Sequence, residues 1–181
     1  MPGGGKSTVG RQLARSLRCG FADCDAEIER RVGMSIRAFF ADQGEQAFRD
    51  VEQSVIDDIC RQSDLVIATG GGAVLREANR AALHSLTTVV YLRSSPEELF
   101  RRLRHDTQRP LLQVADPQRK LRDLYAERDP LYRKTAHFVI ETGRPSVMNL
   151  VNMIRMQLEL AGVVDGAVGP SPGAGEPPVG H

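Results

Sequence analysis

Apolar residues recur along this chain with two different periods. Leu65-Val66-Ile67-Ala68-Thr69 and Thr88-Val89-Val90-Tyr91-Leu92 are short unbroken runs, as strands covered on both faces require. Phe138-Val139-Ile140 is a third such run, and Gly20-Phe21-Ala22-Asp23 a weaker fourth. Between the runs the spacing lengthens to three and four residues. Val9, Leu13 and Leu17 form one stripe, and Phe48, Val51, Val55 and Ile59 a second. Leu99 and Leu103 follow Pro96, which suits a first helical turn, and Val147, Leu150, Val151, Ile154 and Leu158 close the series. Strands alternating with helices predict a layered α/β fold on a parallel sheet, without internal repeats.

The pattern stops near residue 161. Residues 162–181 carry six Gly and four Pro with almost no charge, too little apolar surface to offset the entropy of ordering. They are expected to form a disordered tail behind one domain over residues 1–161. The chain has 181 residues, 41% of them apolar, which suits a single core. No run approaches the roughly 18 apolar residues of a membrane span. The opening residues show no charged leader followed by an apolar stretch, so the expected location is cytoplasmic. Cys19, Cys24 and Cys60 are odd in number and form no CxxC pair, which fits a reducing compartment and argues against a zinc site.

A formal charge of +1 leaves no global field to draw in nucleic acid or an anionic membrane, so any basic function must be local. Lys6, Lys120 and Lys134 are the only lysines, and the other 21 basic residues are Arg, whose planar forks suit phosphate and carboxylate.

The chemistry begins at the N-terminus. Pro2-Gly3-Gly4-Gly5-Lys6-Ser7-Thr8 runs into the first helical stripe and matches the second half of a phosphate-binding loop, GxxxxGK[ST]. Glycines let backbone N–H groups close around phosphate oxygens, and the helix N-terminus adds partial positive charge. Lys6 would reach the β- and γ-phosphates and Ser7 would give Mg²⁺ a hydroxyl ligand. The loop's first glycine should lie one residue before Met1, and the strand feeding it before that. The expectation is therefore a natural start roughly ten residues upstream.

Asp23-Cys24-Asp25 follows the weak strand, with its two carboxylates on the same side of an extended segment. Near a phosphate loop, Asp23 could hold a metal's water shell and Asp25 could take a proton from a hydroxyl nucleophile. Read alone, the pattern is better explained by a helix cap, with Asp25 before Ala26-Glu27-Ile28 as the capping residue. Gly70-Gly71-Gly72 ends the strongest strand, where open α/β sheets bind ligands, and three glycines exceed the needs of a turn. Arg49 by itself reads as a solvated charge. Arg101, Arg102, Arg104 and Arg109 precede Pro110-Leu111-Leu112, in a basic segment that could be a lid over a triphosphate or a solvated helix face. The histidines share no metal-ligand spacing.

Taken together, GGGKST, the Asp-x-Asp at 23–25, Gly44-Glu45-Gln46-Ala47-Phe48-Arg49, Gly70-Gly71-Gly72, Arg109-Pro110-Leu111-Leu112 and Arg128-Asp129-Pro130-Leu131-Tyr132 resemble the shikimate kinases in order and spacing over about residues 1–158. The resemblance implies a three-layer P-loop kinase fold. Its parallel five-stranded sheet has helices on both faces and a lid at about residues 105–118, with the first strand missing from this chain. It implies transfer of the ATP γ-phosphoryl group to the 3-hydroxyl of shikimate with Mg²⁺, in aromatic amino-acid precursor synthesis. Carried over residue by residue, it gives Gly3, Gly4, Gly5, Lys6, Ser7 and Thr8 the phosphates. Ser7 and Asp23 receive the metal, Asp25 shikimate's hydroxyls and the proton, and Arg49, Gly71 and Arg128 the rest of the substrate. Arg109 matches the lid arginine at the phosphates, Arg144 an adenine contact, and Phe40 and Phe48 the apolar wall.

With Lys6, Asp25 and Arg109 in catalytic roles, the expectation is a monomeric kinase that binds shikimate and ATP but neither nucleic acid nor membrane. Two alternatives are another small-metabolite P-loop kinase, such as a gluconate kinase, and an inactive nucleotide-binding module or switch. The separate lid and the pair of arginines suited to an acid argue against the module or switch, and replacing shikimate with gluconate in an ADP-release assay would separate the two kinases.

Overall fold

A computed structural model of the protein describes residues 5–104, 113–143 and 146–166. The described elements run α1 (Lys6–Leu17), β1 (Gly20–Asp23), α2 (Cys24–Val32), α3 (Ile36–Cys60), β2 (Leu65–Ala68), α4 (Glu77–Leu86), β3 (Val90–Arg93), α5 (Pro96–Leu103), α6 (Pro117–Thr135), β4 (Phe138–Glu141) and α7 (Val147–Leu160). Every predicted strand is present within one or two residues. Side-chain caps start several helices where the sequence changes rhythm: Ser35 for α3, Ser95 with Glu98 in a reciprocal capping box for α5, Asp116 for α6 and Ser146 for α7. Gly44, with φ 81° and ψ 175°, breaks α3 near its middle in a conformation that only glycine adopts cheaply.

The α/β architecture is as expected, but the sheet differs in extent. Among the described residues four strands form two parallel pairs, β1 with β2 and β3 with β4. Pairing runs from Gly20 opposite Leu65 to Asp23 opposite Ala68, and from Val90 opposite Phe138 to Arg93 opposite Glu141. No ladder joins β2 to β3. A cavity of about 1120 Å³ lies between them, so among the described residues four strands stand as two half-sheets in place of the expected five-stranded sheet.

Helices cover both faces of these half-sheets. Val9 and Leu13 of α1 pack with Leu150, Val151, Ile154 and Leu158 of α7 and with Ile140. Cys24 and Ile28 of α2 pack with Phe48, Val55, Ile56 and Ile59 of α3 and Leu83 of α4. Tyr91 anchors the third cluster with Leu99 and Leu103 of α5 and Leu121, Leu124 and Tyr132 of α6. At about 25 cal/mol per Å² of apolar surface buried, such side chains each contribute roughly 1.5–3 kcal/mol.

Of the expected disordered tail, Gly162–Gly166 lies within the described residues, where Val164 packs against the α1–α7 cluster, and 167–181 lies outside them. All three cysteines are free thiols. No helix among the described residues is long and apolar enough to cross a membrane.

Candidate active site

The site gathers where β1 and β2 end, because a parallel sheet delivers the residues following its strands to one rim. Gly5, with φ 68°, stands at the start of α1, and Lys6, Ser7 and Thr8 form its first turn. The Ser7 hydroxyl donates to Asp23 Oδ2 at 2.6 Å, tying that turn to the end of β1. Asp23 also caps α2: its Oδ1 accepts from the backbone N–H groups of Asp25 at 3.0 Å and Ala26 at 3.3 Å. The sequence left this cap open and named Asp25 for it. The cap is Asp23, which leaves the Asp25 side chain available to the cleft.

Asp25 faces the glycine run. A Cβ on Gly70 would come within 2.8 Å of Asp25 Oδ1, so a side chain at 70 would displace the carboxylate. Solvent reaches the outer side of Asp25, but the protein crowding its inner side raises its pKa above the ordinary carboxylate range. The charges of Asp23 and Glu52 raise it further, and Lys6 offsets them in part. A carboxyl raised in this way holds a proton more firmly than one in water, which suits a group that must accept one.

On the other side stands Arg49. Its guanidinium donates through one terminal nitrogen to Glu52 Oε1 at 2.8 Å, and Glu45 lies 3.5 Å from the other. Glu52 is only 2% exposed, so the pair is an internal strut. The guanidinium also lies 5.1 Å from the centre of the Phe48 ring, which in turn packs on Phe40 with centroids 4.5 Å apart. A Cβ on Gly72 would fall on the Arg49 guanidinium. Gly70 and Gly72 are thus bare because Asp25 and Arg49 each lie against the backbone there. A tight turn alone does not account for them.

Arg128 enters from α6. It hydrogen-bonds Tyr132 one turn on, and the Tyr132 hydroxyl donates to the Gly71 carbonyl. Burial raises the Tyr132 phenol to about 12, so it stays protonated and keeps that bond. Its ring stacks on Tyr91 at 4.9 Å, and Tyr91 donates to Asp129 at 2.9 Å. Among the described residues, Arg49 Nε and Arg128 Nε are buried here without a protein partner, as are Arg155 Nε and the Asn79 amide elsewhere in the fold. Buried polar groups are nearly always satisfied, so a pair of such guanidinium donors marks a place for an anion.

The structure links Lys6, Ser7, Asp23, Asp25, Phe40, Phe48, Arg49, Gly71 and Arg128 through contacts near the ends of β1 and β2, with Gly5 and Thr8 beside them at the start of α1. Gly3, Gly4, Arg109, Arg144 and most of the expected lid lie outside the described residues. Sequence reasoning missed Glu52 and gave Tyr132 no role. Glu52 left a signal, because it is a carboxylate on the same helical stripe as Phe48, Val55 and Ile59 and three residues from Arg49. Tyr132 left none, since its partner Gly71 is 61 residues away.

Comparison with known proteins agrees with this geometry. The family model described as shikimate kinase matches residues 2–159. The shikimate kinase of Ralstonia nicotianae is 54% identical over 162 residues, covering 90% of this chain and 85% of its own. That of Burkholderia thailandensis is 56% identical over 162 residues, covering 90% and 88%. Among solved structures, the shikimate kinase from Acinetobacter baumannii in complex with shikimate superposes with a TM-score of 0.82 at 45% identity, covering 88% of this chain and 89% of that one. The Aquifex aeolicus shikimate kinase superposes with a TM-score of 0.79 at 32% identity, covering 90% and 95%.

Proposed function

The chain belongs to the shikimate kinase family, and we propose that its cleft transfers the γ-phosphoryl group of ATP to the 3-hydroxyl of shikimate, giving shikimate 3-phosphate and ADP. The family's members are ATP-using phosphotransferases, and this chain is an enzyme of that class. The observation that carries the assignment of residues is the pair of buried, unpartnered guanidinium Nε donors on Arg49 and Arg128, beside a proton-accepting carboxyl. Shikimate offers a carboxylate for the first and hydroxyls for the second.

In this reading Arg49 and Arg128 bind the carboxylate, with Phe40 and Phe48 walling the ring. Gly71 brings its backbone against the substrate. Asp25 orients the hydroxyls and accepts the proton released as the attacking oxygen forms its bond to phosphorus. Gly3, Gly4, Gly5 and Thr8 cradle the phosphates, Lys6 neutralises charge on the transferring group, and Arg109 adds to this from the lid. Arg144 contacts the adenine.

The Ser7 hydroxyl and Asp23 carboxylate, already within hydrogen-bonding distance, are the hard oxygen donors that Mg²⁺ takes. They would hold it, Asp23 through the ion's water. Bound there, Mg²⁺ supplies charge neutralisation to the phosphates. We place the enzyme in the cytoplasm as a monomer, with neither nucleic acid nor membrane as partner.

The deciding experiment is ADP release by the full chain with ATP and Mg²⁺, with and without shikimate. Turnover should require shikimate and should not be supported by gluconate; release indifferent to the acceptor would overturn the reading. A smaller effect follows from the glycine run. Gly72→Ala should push the Arg49 guanidinium aside and raise the KM for shikimate about tenfold, equivalent to ~1.4 kcal/mol, while the KM for ATP stays within about twofold. An unchanged shikimate KM would remove Arg49 from the binding set.

A further inference from the structure

Three glycines in a row make a backbone with little to hold it. Residues 70–72 carry no Cβ, so their peptide planes turn at low cost unless a hydrogen bond stops each one. Two carbonyls of the run are taken by the main chain: Gly70 accepts from Ala73 N–H and Gly72 from Leu75 N–H, both at 3.1 Å. The middle carbonyl, that of Gly71, accepts from the Tyr132 hydroxyl. The peptide that follows is trans, so its N–H points opposite to its carbonyl. Holding the Gly71 carbonyl therefore also sets the direction of the Gly72 N–H.

The same side chain reaches Arg128. The two residues stand four apart on one face of α6 and hydrogen-bond each other. Pro130 lies between them and has no N–H for the Ala126 carbonyl, so the turn that carries Arg128 lacks one of its rungs. That turn is held from outside. Asp129 accepts from the Tyr91 hydroxyl at 2.9 Å and from Arg93 Nε at 3.3 Å, and the buried Tyr132 ring stacks on Tyr91. The stack fixes where the Tyr132 hydroxyl stands, between the glycine run and the Arg128 guanidinium.

We propose that Tyr132 is a positioning residue for the phosphoryl acceptor: by bonding to both Gly71 and Arg128 it sets the spacing at which the two meet shikimate. This role rests on reading Gly71 and Arg128 as substrate-binding positions. Tyr132 acts through those two neighbours and not on the reacting atoms. Its loss should therefore weaken the binding of shikimate and largely spare the transfer step once shikimate is bound.

Tyr132→Phe keeps the ring and its stack on Tyr91 and removes the hydroxyl alone. The KM for shikimate, and its Kd by titration calorimetry, should rise about tenfold, as for the loss of a buried hydrogen bond. The KM for ATP should stay within about twofold and kcat within about threefold. Tyr91→Phe is the structural control, since it removes a buried hydroxyl bond from the same ring stack. It should lower Tm and leave the shikimate KM within about twofold. In an Arg128→Ala background, Tyr132→Phe should raise that KM by less than about threefold, because one of the two groups it spaces is gone.

A shikimate KM in Tyr132→Phe within about twofold of wild type would overturn the role. So would an equal rise in Tyr91→Phe, which marks a general loosening of α6, or the full tenfold effect in the Arg128→Ala background. These three results leave the kinase reading standing, because wild-type turnover still requires shikimate. A wild-type chain that neither binds shikimate nor turns it over would remove that reading, and the role of Tyr132 with it.

Discussion

Asp25→Asn should lower turnover by about 10²–10⁴-fold while leaving the KM for ATP nearly unchanged. Asparagine keeps the size and the carbonyl acceptor of aspartate, so it still fits against Gly70, where Asp25 Oδ1 now lies. It cannot take the proton that the attacking hydroxyl must shed. The pH dependence separates this role from simple crowding. Asp25 works only when ionised, and its pKa is raised by lost hydration and by the charges of Asp23 and Glu52. The acid limb of the wild-type kcat/KM profile should therefore lie above the ordinary carboxylate range, and the residual activity of the variant should lack it.

Stability should move the other way. A group whose folded pKa is raised favours the fold fully below its unfolded pKa and loses that contribution as pH rises through the folded value. Ionised Asp25 therefore costs stability at neutral pH, and Asn removes the cost. Because solvent reaches one side of the residue, the rise in Tm at pH 7 should be small, and it should vanish below the ordinary carboxylate range. Turnover within a few-fold of wild type, or a fall in Tm at pH 7, would take Asp25 out of the proposed role.

The strands and helices were legible in the sequence because local pattern alone specifies them. A run such as Leu65–Ala68 is apolar throughout since both its faces are covered, and the caps at Ser35, Ser95 and Ser146 fall where a helical stripe begins. The site was legible in part, through residues whose chemistry is unusual for their place: three successive glycines after a strand, or Lys-Ser-Thr opening a helix. Its supports were harder to read, because they act through contacts between distant segments. Nothing near Tyr132 announces that its hydroxyl ends on Gly71, and nothing near Asp23 announces that it holds Ser7. The sheet was the least local of all. Which edges pair is a property of the assembled layers, and the sequence alone could only locate the strands.

Glu52 turns the second large prediction into a test with two readings. Arg49→Ala should raise the KM for shikimate about 100-fold, near the upper end for losing a charge-assisted hydrogen bond, with a smaller change in kcat. It should also destabilise the fold, because it strands a carboxylate that is 2% exposed and whose ion-pair partner is gone. Breaking a buried pair from one side costs about 3–5 kcal/mol, on the order of 10 °C in Tm for a domain of this size. A weakened fold could by itself weaken binding, so the single variant does not separate the two. Replacing both partners, Arg49→Met with Glu52→Leu, removes the stranded charge and refills the space with apolar side chains. Such a swap is often neutral or stabilising. The double variant should regain the wild-type Tm and still show the raised shikimate KM, because the donor facing the substrate is absent. If the KM recovers along with the Tm, Arg49 is a structural strut and Arg128 alone meets the carboxylate. Arg49→Lys should fall between these, keeping the charge beside Glu52 but not the planar fork that offers a second donor to an anion.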